Sequence, residues 1–224
     1  MSGNGPRHVA VTVLVGALTL AVVYQRWVWP WQLRWGATDA EVARTMAGDV
    51  VVAAPDFVAT RAVTIAAPPD AVWPWLVQLG SGRAGWYTFG RIDNAGQPSA
   101  TEILEQYQHL AVGDLVPMVA GTDIGLRVKE LEPEHRMLWW DGVGEYSWEW
   151  LLEPRDRNSS RLVTRLRIVS HRWTKRAVYE AIAARGDIIM QIKMLHGIKQ
   201  RAERQTAPPQ PGAAGQSHDK ADTA

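Results

Sequence analysis

Six histidines, at positions 8, 109, 135, 171, 196 and 218, are the first candidates for metal or acid-base chemistry, but no two share a ligand spacing and no His-Glu-x-x-His occurs. Zinc sites are recognised by close pairs of ligands, so the spacing offers no metal site. His196 falls one helical turn from Ile192 and is read as a packed or solvent-edge residue. Cysteine is absent, which removes thiolate ligands, disulfides and cysteine nucleophiles together and leaves the redox compartment open. Gly80, Gly82 and Gly85 fit G-x-G-x-x-G. A dinucleotide fingerprint needs those glycines between a strand and a helix. Here a helical pattern with Pro74 precedes them and Trp86-Tyr87-Thr88-Phe89 comes after, so they are read as a loop with positive φ. No Gly-x-Ser-x-Gly elbow is present.

The carboxylates are unpaired. Asp93, in Arg91-Ile92-Asp93-Asn94, is read as an Asx-turn in preference to a group at a pocket mouth. Glu149 alternates away from Trp148 and Trp150, so a solvated ladder with Arg165 or Arg167 is expected, worth under about 1 kcal/mol. A register slip of one residue would instead turn both arginines inward as anion clamps. Twenty-four basic and twenty-three acidic residues leave a net charge of +1, with no electrostatic footprint for nucleic acid.

What remains is aromatic: twelve tryptophans against two phenylalanines. Trp86 and Tyr87 from the loop, Trp139, Trp148, Trp150 and Leu166 from strands, and Met190 and Met194 from a helix form a candidate apolar binding site with a few N–H and O–H donors. The competing reading is that these rings fill the core. No catalytic residue, metal or cofactor is assigned.

Several elements must position these residues. A strand over residues 58–65 is followed by Ala66-Ala67-Pro68-Pro69-Asp70 and a short helix carrying Trp73 and Trp75. Ser99 with Glu102 three residues on has capping-box spacing and predicts a helix over residues 99–110. Strand-like runs over 114–118, 126–131, 136–140, 146–152 and 161–170 predict an antiparallel meander whose polar face meets solvent. Residues 173–204 read as one amphipathic helix with a restart at Gly186-Asp187, Asp187 capping the restarted part, and Ile188, Ile189, Ile192 and Leu195 on its apolar side.

The 224 residues thus divide into a membrane anchor (1–35), an ordered but peripheral connector (36–56), a domain (57–205) and a disordered tail (206–224). The membrane segment lies within residues 9–31, between Val9 and Trp31. Its uncharged core of sixteen residues, at about 1.5 Å each, falls short of the ~30 Å hydrocarbon layer, so Arg26 must snorkel and the tryptophans at 27, 29 and 31 must sit among headgroups. No small-x-small cleavage site comes after it, which favours a single-pass anchor over a cleaved signal; basic residues on both flanks leave the side of the membrane open. In the connector, Thr38 is expected to cap a helix over residues 39–44.

The segments Thr64-Ile65-Ala66-Ala67-Pro68-Pro69-Asp70-Ala71-Val72-Trp73 and Arg83-Ala84-Gly85-Trp86-Tyr87 resemble the SRPBCC superfamily of START and polyketide-cyclase-like domains. Trp35 to Glu41 and Met194-Leu195-His196-Gly197-Ile198-Lys199 resemble its bacterial members with an N-terminal hydrophobic segment. The resemblance implies an α+β helix-grip fold, a curved antiparallel sheet wrapped around a long C-terminal helix, together with an N-terminal transmembrane helix. It also implies an apolar small-molecule ligand. Three functions fit: a non-enzymatic membrane-anchored binder or carrier of a lipid, isoprenoid or polyketide-like compound; a cyclase or hydratase moving a proton in the same cavity; and a partner-docking module.

Overall fold

Alternation along the strands decides which face of each is buried, and six antiparallel strands follow it into one sheet. The computed structural model describes residues 5–90, 94, 96–169 and 184–207. Strands β1 (Phe57–Ile65), β2 (Leu115–Pro117), β3 (Gly125–Glu132), β4 (Arg136–Trp140), β5 (Tyr146–Asp156) and β6 (Ser159–Ile168) lie in the order β1-β6-β5-β4-β3-β2. Trp148 pairs with Trp139 and Leu166, and Glu149 with Arg165, the register the alternation predicts. A bulge between Val128 and Glu130 and a register shift between Pro154 and Asp156 help the sheet to curve.

The helices among the described residues are α1 (Gly5–Val23), α2 (Trp29–Leu33), α3 (Asp39–Ala43), α4 (Gly48–Val51), α5 (Pro69–Val77) and α6 (Ala184–Thr206). The concave face of the sheet closes on α6, which buries Ile188, Met194, Leu195, Ile198 and Ala202 against it. This is the α+β helix-grip arrangement. Two details of α6 differ from expectation. Ile189 is 62 % exposed. Asp187 lies within a continuous helix, its carboxylate held by Arg61 at 2.7 Å in place of a capping role. Residues 173–183, Asp93 and the tail from residue 208 onward lie outside the described residues.

The polar face of the sheet does not meet solvent, because the connector folds across it. Thr38 and Glu41 close a capping box that starts α3, leaving Glu41 aimed at Arg161, 2.7 Å away. That hydrogen bond holds the Glu41 carboxyl down at about 2. Arg165, 3 % exposed, donates to Thr60 Oγ1, to the carbonyls of Glu41, Val42 and Arg44, and to Asp49 at 2.9 Å; Arg167 reaches the other Asp49 oxygen at 3.0 Å. Met46 packs with Ala62, Leu151 and Val163 between these pairs. Glu149, expected in a solvated ladder, is 2 % exposed and accepts the backbone N–H of Gly48 at 2.7 Å and of Ala47 at 3.3 Å.

Burial pushes the Glu149 carboxyl above its ordinary range despite those two donors. A carboxyl raised in the folded state contributes stability when protonated, and that contribution is lost as pH rises through the folded value. Glu149→Gln keeps an acceptor for Gly48 and cannot ionise. Urea unfolding at about pH 4 and about pH 8 should therefore show the variant gaining on the parent as pH rises; a gap that does not change with pH contradicts this account.

The N-terminal helix is longer than the apolar run alone. His8–Leu33, 26 residues, forms a helix long and apolar enough to cross a membrane, and its apolar window is unburied. At 1.5 Å per residue it reaches roughly 39 Å, a length that includes Arg26 and the last turn, Trp29–Leu33, which packs on the domain. A π-helical turn at Tyr24–Val28 precedes Pro30. A proline ring clashes with the carbonyl four residues back, and widening the turn makes room for it. The helix ends docked on the domain: Trp29 packs on Phe57 with ring centroids 6.2 Å apart, and Arg61 Nε donates to the Gln32 carbonyl at 3.1 Å.

No α-helix forms over residues 99–110; only a 3₁₀ turn at Glu105–Tyr107 is present. The segment's backbone is claimed elsewhere. Ala100 N–H donates to Ala84, Leu104 N–H donates to the Gln78 side chain, and Gln78 Nε2 donates to Glu102. Ser99, in place of capping, accepts the Tyr87 N–H at 3.0 Å.

Tyr87 is held at φ 57 by that bond and by its hydroxyl, which donates to Trp75 O at 3.0 Å and accepts from Gln78 at 2.8 Å. Burial pushes its phenol up. Gly197 of α6 passes so close that an added Cβ would sit 2.6 Å from both Tyr87 Cβ and Tyr87 O. Gly197→Ala, favourable by up to about 1 kcal/mol for an ordinary helix interior, should instead destabilise by about 1–3 kcal/mol. A raised melting temperature for this variant would show that α6 and the loop yield.

Candidate functional site

Between the sheet and α6, four tryptophans make one stack. Trp148 lies on Trp150 at 4.8 Å and 29° and on Trp86 at 5.7 Å and 13°, while Trp139 meets Trp148 and Trp150 edge-on. Trp148 Nε1 donates to Thr164 Oγ1 at 2.7 Å, and that hydroxyl donates on to Glu149 O. Trp139 Nε1 and Trp150 Nε1 have no partner among the described residues. Both rings are fully buried, and each unpaired N–H costs about 1–3 kcal/mol.

Beyond this stack a cavity of about 160 Å³ opens at one end of the sheet, lined by Trp86, Trp148, Met118, Tyr146, Met190 and Met194, with Thr88, Asp187 and Gln191 among them. Gln191 is 4 % exposed, and its Oε1, like Thr88 Oγ1, lacks a partner among the described residues. Asp187 is engaged by Arg61, which is buried on the concave face of β1.

Of the eight residues singled out in the sequence, Trp86, Trp148, Met190 and Met194 line this cavity. Trp139, Trp150 and Leu166 lie behind it in the core. Tyr87 faces a separate, open groove of about 760 Å³ on the other side of the loop, with Lys193, His196 and Arg201. His196 there meets Trp35 edge-on at 5.4 Å. The sequence reading missed Thr88, Met118, Tyr146, Asp187 and Gln191. For Gln191 a signal existed: it falls at i+3 from Ile188 and i−3 from Met194, a polar residue on the apolar stripe of a helix. No group of metal-ligating side chains occurs among the described residues.

The chain is similar in structure to polyketide-cyclase-like proteins. A polyketide-cyclase-like protein of Corynebacterium glutamicum matches with 15 % identity and a TM-score of 0.42, over 72 % of this chain and 97 % of its own. The Zhui aromatase/cyclase of a Streptomyces species matches with 22 % identity and a TM-score of 0.41, over 71 % and 98 %. A conserved protein of unknown function from Enterococcus faecalis matches with 13 % identity and a TM-score of 0.41, over 72 % and 84 %. No protein-family model matches the sequence, and no curated protein matches it. The fold follows from strand order and register, and these likenesses say nothing of the ligand.

Proposed function

We propose that the protein is a membrane-anchored binding or carrier domain for a small apolar molecule that carries one hydroxyl or N–H group. The observation that supports this reading is the cavity beside the tryptophan stack, with the buried Gln191 oxygen on its wall. An apolar wall with one or two placed polar groups is the usual make-up of a ligand site, and an unpaired buried oxygen costs about 1–3 kcal/mol that a donor on a ligand recovers. Size narrows the class. Drug-sized sites enclose roughly 300–1,000 Å³. A void of about 160 Å³ suits one or two fused rings, or a short acyl segment, and not a whole polyketide or lipid.

The unburied apolar window of the helix His8–Leu33 supports the anchor, because an apolar surface of that length is stable in hydrocarbon and not in water. Tethering and an apolar cavity also belong together, since a poorly soluble ligand concentrates in the bilayer. Proton-transfer chemistry ranks second: the carboxylate on the cavity wall, Asp187, is already held by Arg61.

Native mass spectrometry of the full chain released from detergent micelles, with organic extraction of the same sample, tests the proposal. A reproducible small adduct that survives in folded protein and disappears on unfolding is expected. Empty protein that also fails to take up an added hydroxylated bicyclic probe such as 2-naphthol would sink it.

A further inference from the structure

The two ends of the sheet differ in polarity. At one end, the turn from Asp156 to Ser159 and the turn from Glu132 to Arg136 expose Arg157, Asn158, Glu134 and His135. At the other, the β2–β3 turn exposes Val119 (48 %) and Ile124 (65 %), and the β4–β5 turn exposes Val143 (76 %). Phe89 (39 %), with the Lys193 ammonium 3.9 Å above its ring, and Ile189 (62 %), on the wall of the open groove, are chain neighbours of the cavity residues Thr88 and Met190. Outside the apolar helix, eight large apolar residues are exposed among the described residues, and five of them are these.

The same end holds the cavity mouth and the apolar helix. Tyr146, on the cavity wall, pairs with Ile168, Ile168 pairs with Phe57, and Phe57 carries Trp29 of α2. On the other side of the mouth, Asp187 is joined through Arg61 to the carbonyl of Gln32. Scattered single apolar residues on a surface need no explanation, but exposed apolar residues gathered on the turns of one end and on the chain neighbours of cavity residues, and absent from the opposite turns, mark an interaction face.

We infer that this end of the domain rests on the bilayer into which α1 inserts, with Val119, Ile124, Val143, Phe89 and Ile189 in the interfacial layer, and that ligand passes between membrane and cavity without crossing water. The inference rests on the anchor reading of α1 and goes beyond it, since an anchor alone leaves the domain free to stand away from the surface. Apolar groups in such faces sit about 5–10 Å into the headgroup–acyl boundary.

The chain has no cysteine, so single-cysteine variants label cleanly. Full-length Leu18→Cys, Ile124→Cys, Ile189→Cys and Arg157→Cys, each carrying an environment-sensitive fluorophore, are placed in lipid nanodiscs with and without acyl-chain-brominated phosphatidylcholine. All four positions are exposed, so folding is not at risk. Labels at 18, 124 and 189 should lose about half or more of their intensity to brominated lipid, with the label at 157 unchanged. Quenching at 18 without quenching at 124 and 189 overturns the inference and leaves the anchor standing. No quenching at 18 removes the anchor and the inference with it. A blue-shifted label at 124 or 189 that bromine does not quench also overturns it, assigning the face to protein, a second copy or another partner.

Discussion

Replacing Arg165 with leucine is expected to cost the fold about 3–5 kcal/mol. The guanidinium is almost fully buried and has five acceptors: a threonine hydroxyl, three connector carbonyls and Asp49. Leucine leaves the carbonyls of Glu41, Val42 and Arg44 without a donor under the cover that hides them, and it leaves Asp49 with Arg167 and the Met46 N–H. Arg165→Lys keeps the charge but not the fork, and should fall between the two. Denaturant unfolding of the full chain in micelles measures both, and limited proteolysis should show cleavage in residues 36–56 first. A cost under about 1 kcal/mol would mean that the connector is surface decoration, its ion pairs as weak as exposed ones. Since domains of this size hold about 5–15 kcal/mol in total, the expected loss also predicts poor yield of the leucine variant.

Met194→Trp should weaken probe binding strongly while leaving the fold intact. Met194 is 3 % exposed and borders the void, so the larger ring has somewhere to go. Overpacking a full core costs about 1–3 kcal/mol, but here the indole enters space that no described side chain occupies, and the stability change should stay under about 1 kcal/mol. Affinity for 2-naphthol, followed by quenching of the stacked tryptophans, should fall by about 100-fold, near 2.7 kcal/mol. Unchanged affinity with unchanged stability would move the ligand out of the cavity, into the groove beside Lys193 and His196. Gln191→Leu separates shape from polarity: an apolar probe lacking the hydroxyl should bind it at least as well as the parent, and 2-naphthol about tenfold less well.

The concave face was legible because period-two alternation over Tyr146–Leu152 and Leu162–Ile168 leaves a single way to bury the tryptophans. The outer face was not. Alternation tells which residues share a face but not what lies over it, and the cover comes from two short helices, α3 and α4, whose sequence looks like a linker. Local signals also compete. Thr38 with Glu41 and Ser99 with Glu102 have the same capping spacing, yet only the first starts a helix. Gln78 and Ala84 bond the backbone around the second, and a tertiary bond that satisfies the same N–H removes the reason to coil. In the site, the aromatic set announced itself by residue type. Its division into a solid stack and a hollow did not, because that depends on which ring faces Trp86.

The order of the strands also governs how copies of the protein meet. A sheet that is not closed has two lateral margins, and a long bare margin is a template for another chain. On the β1 side the segment at Trp35 lies beside the strand, its carbonyl taking the Ala62 N–H, and α2 packs against β1. On the β2 side the strand is three residues long and ends in Pro117, which has no N–H to offer. Both margins therefore offer little bare backbone for zippering onto another chain.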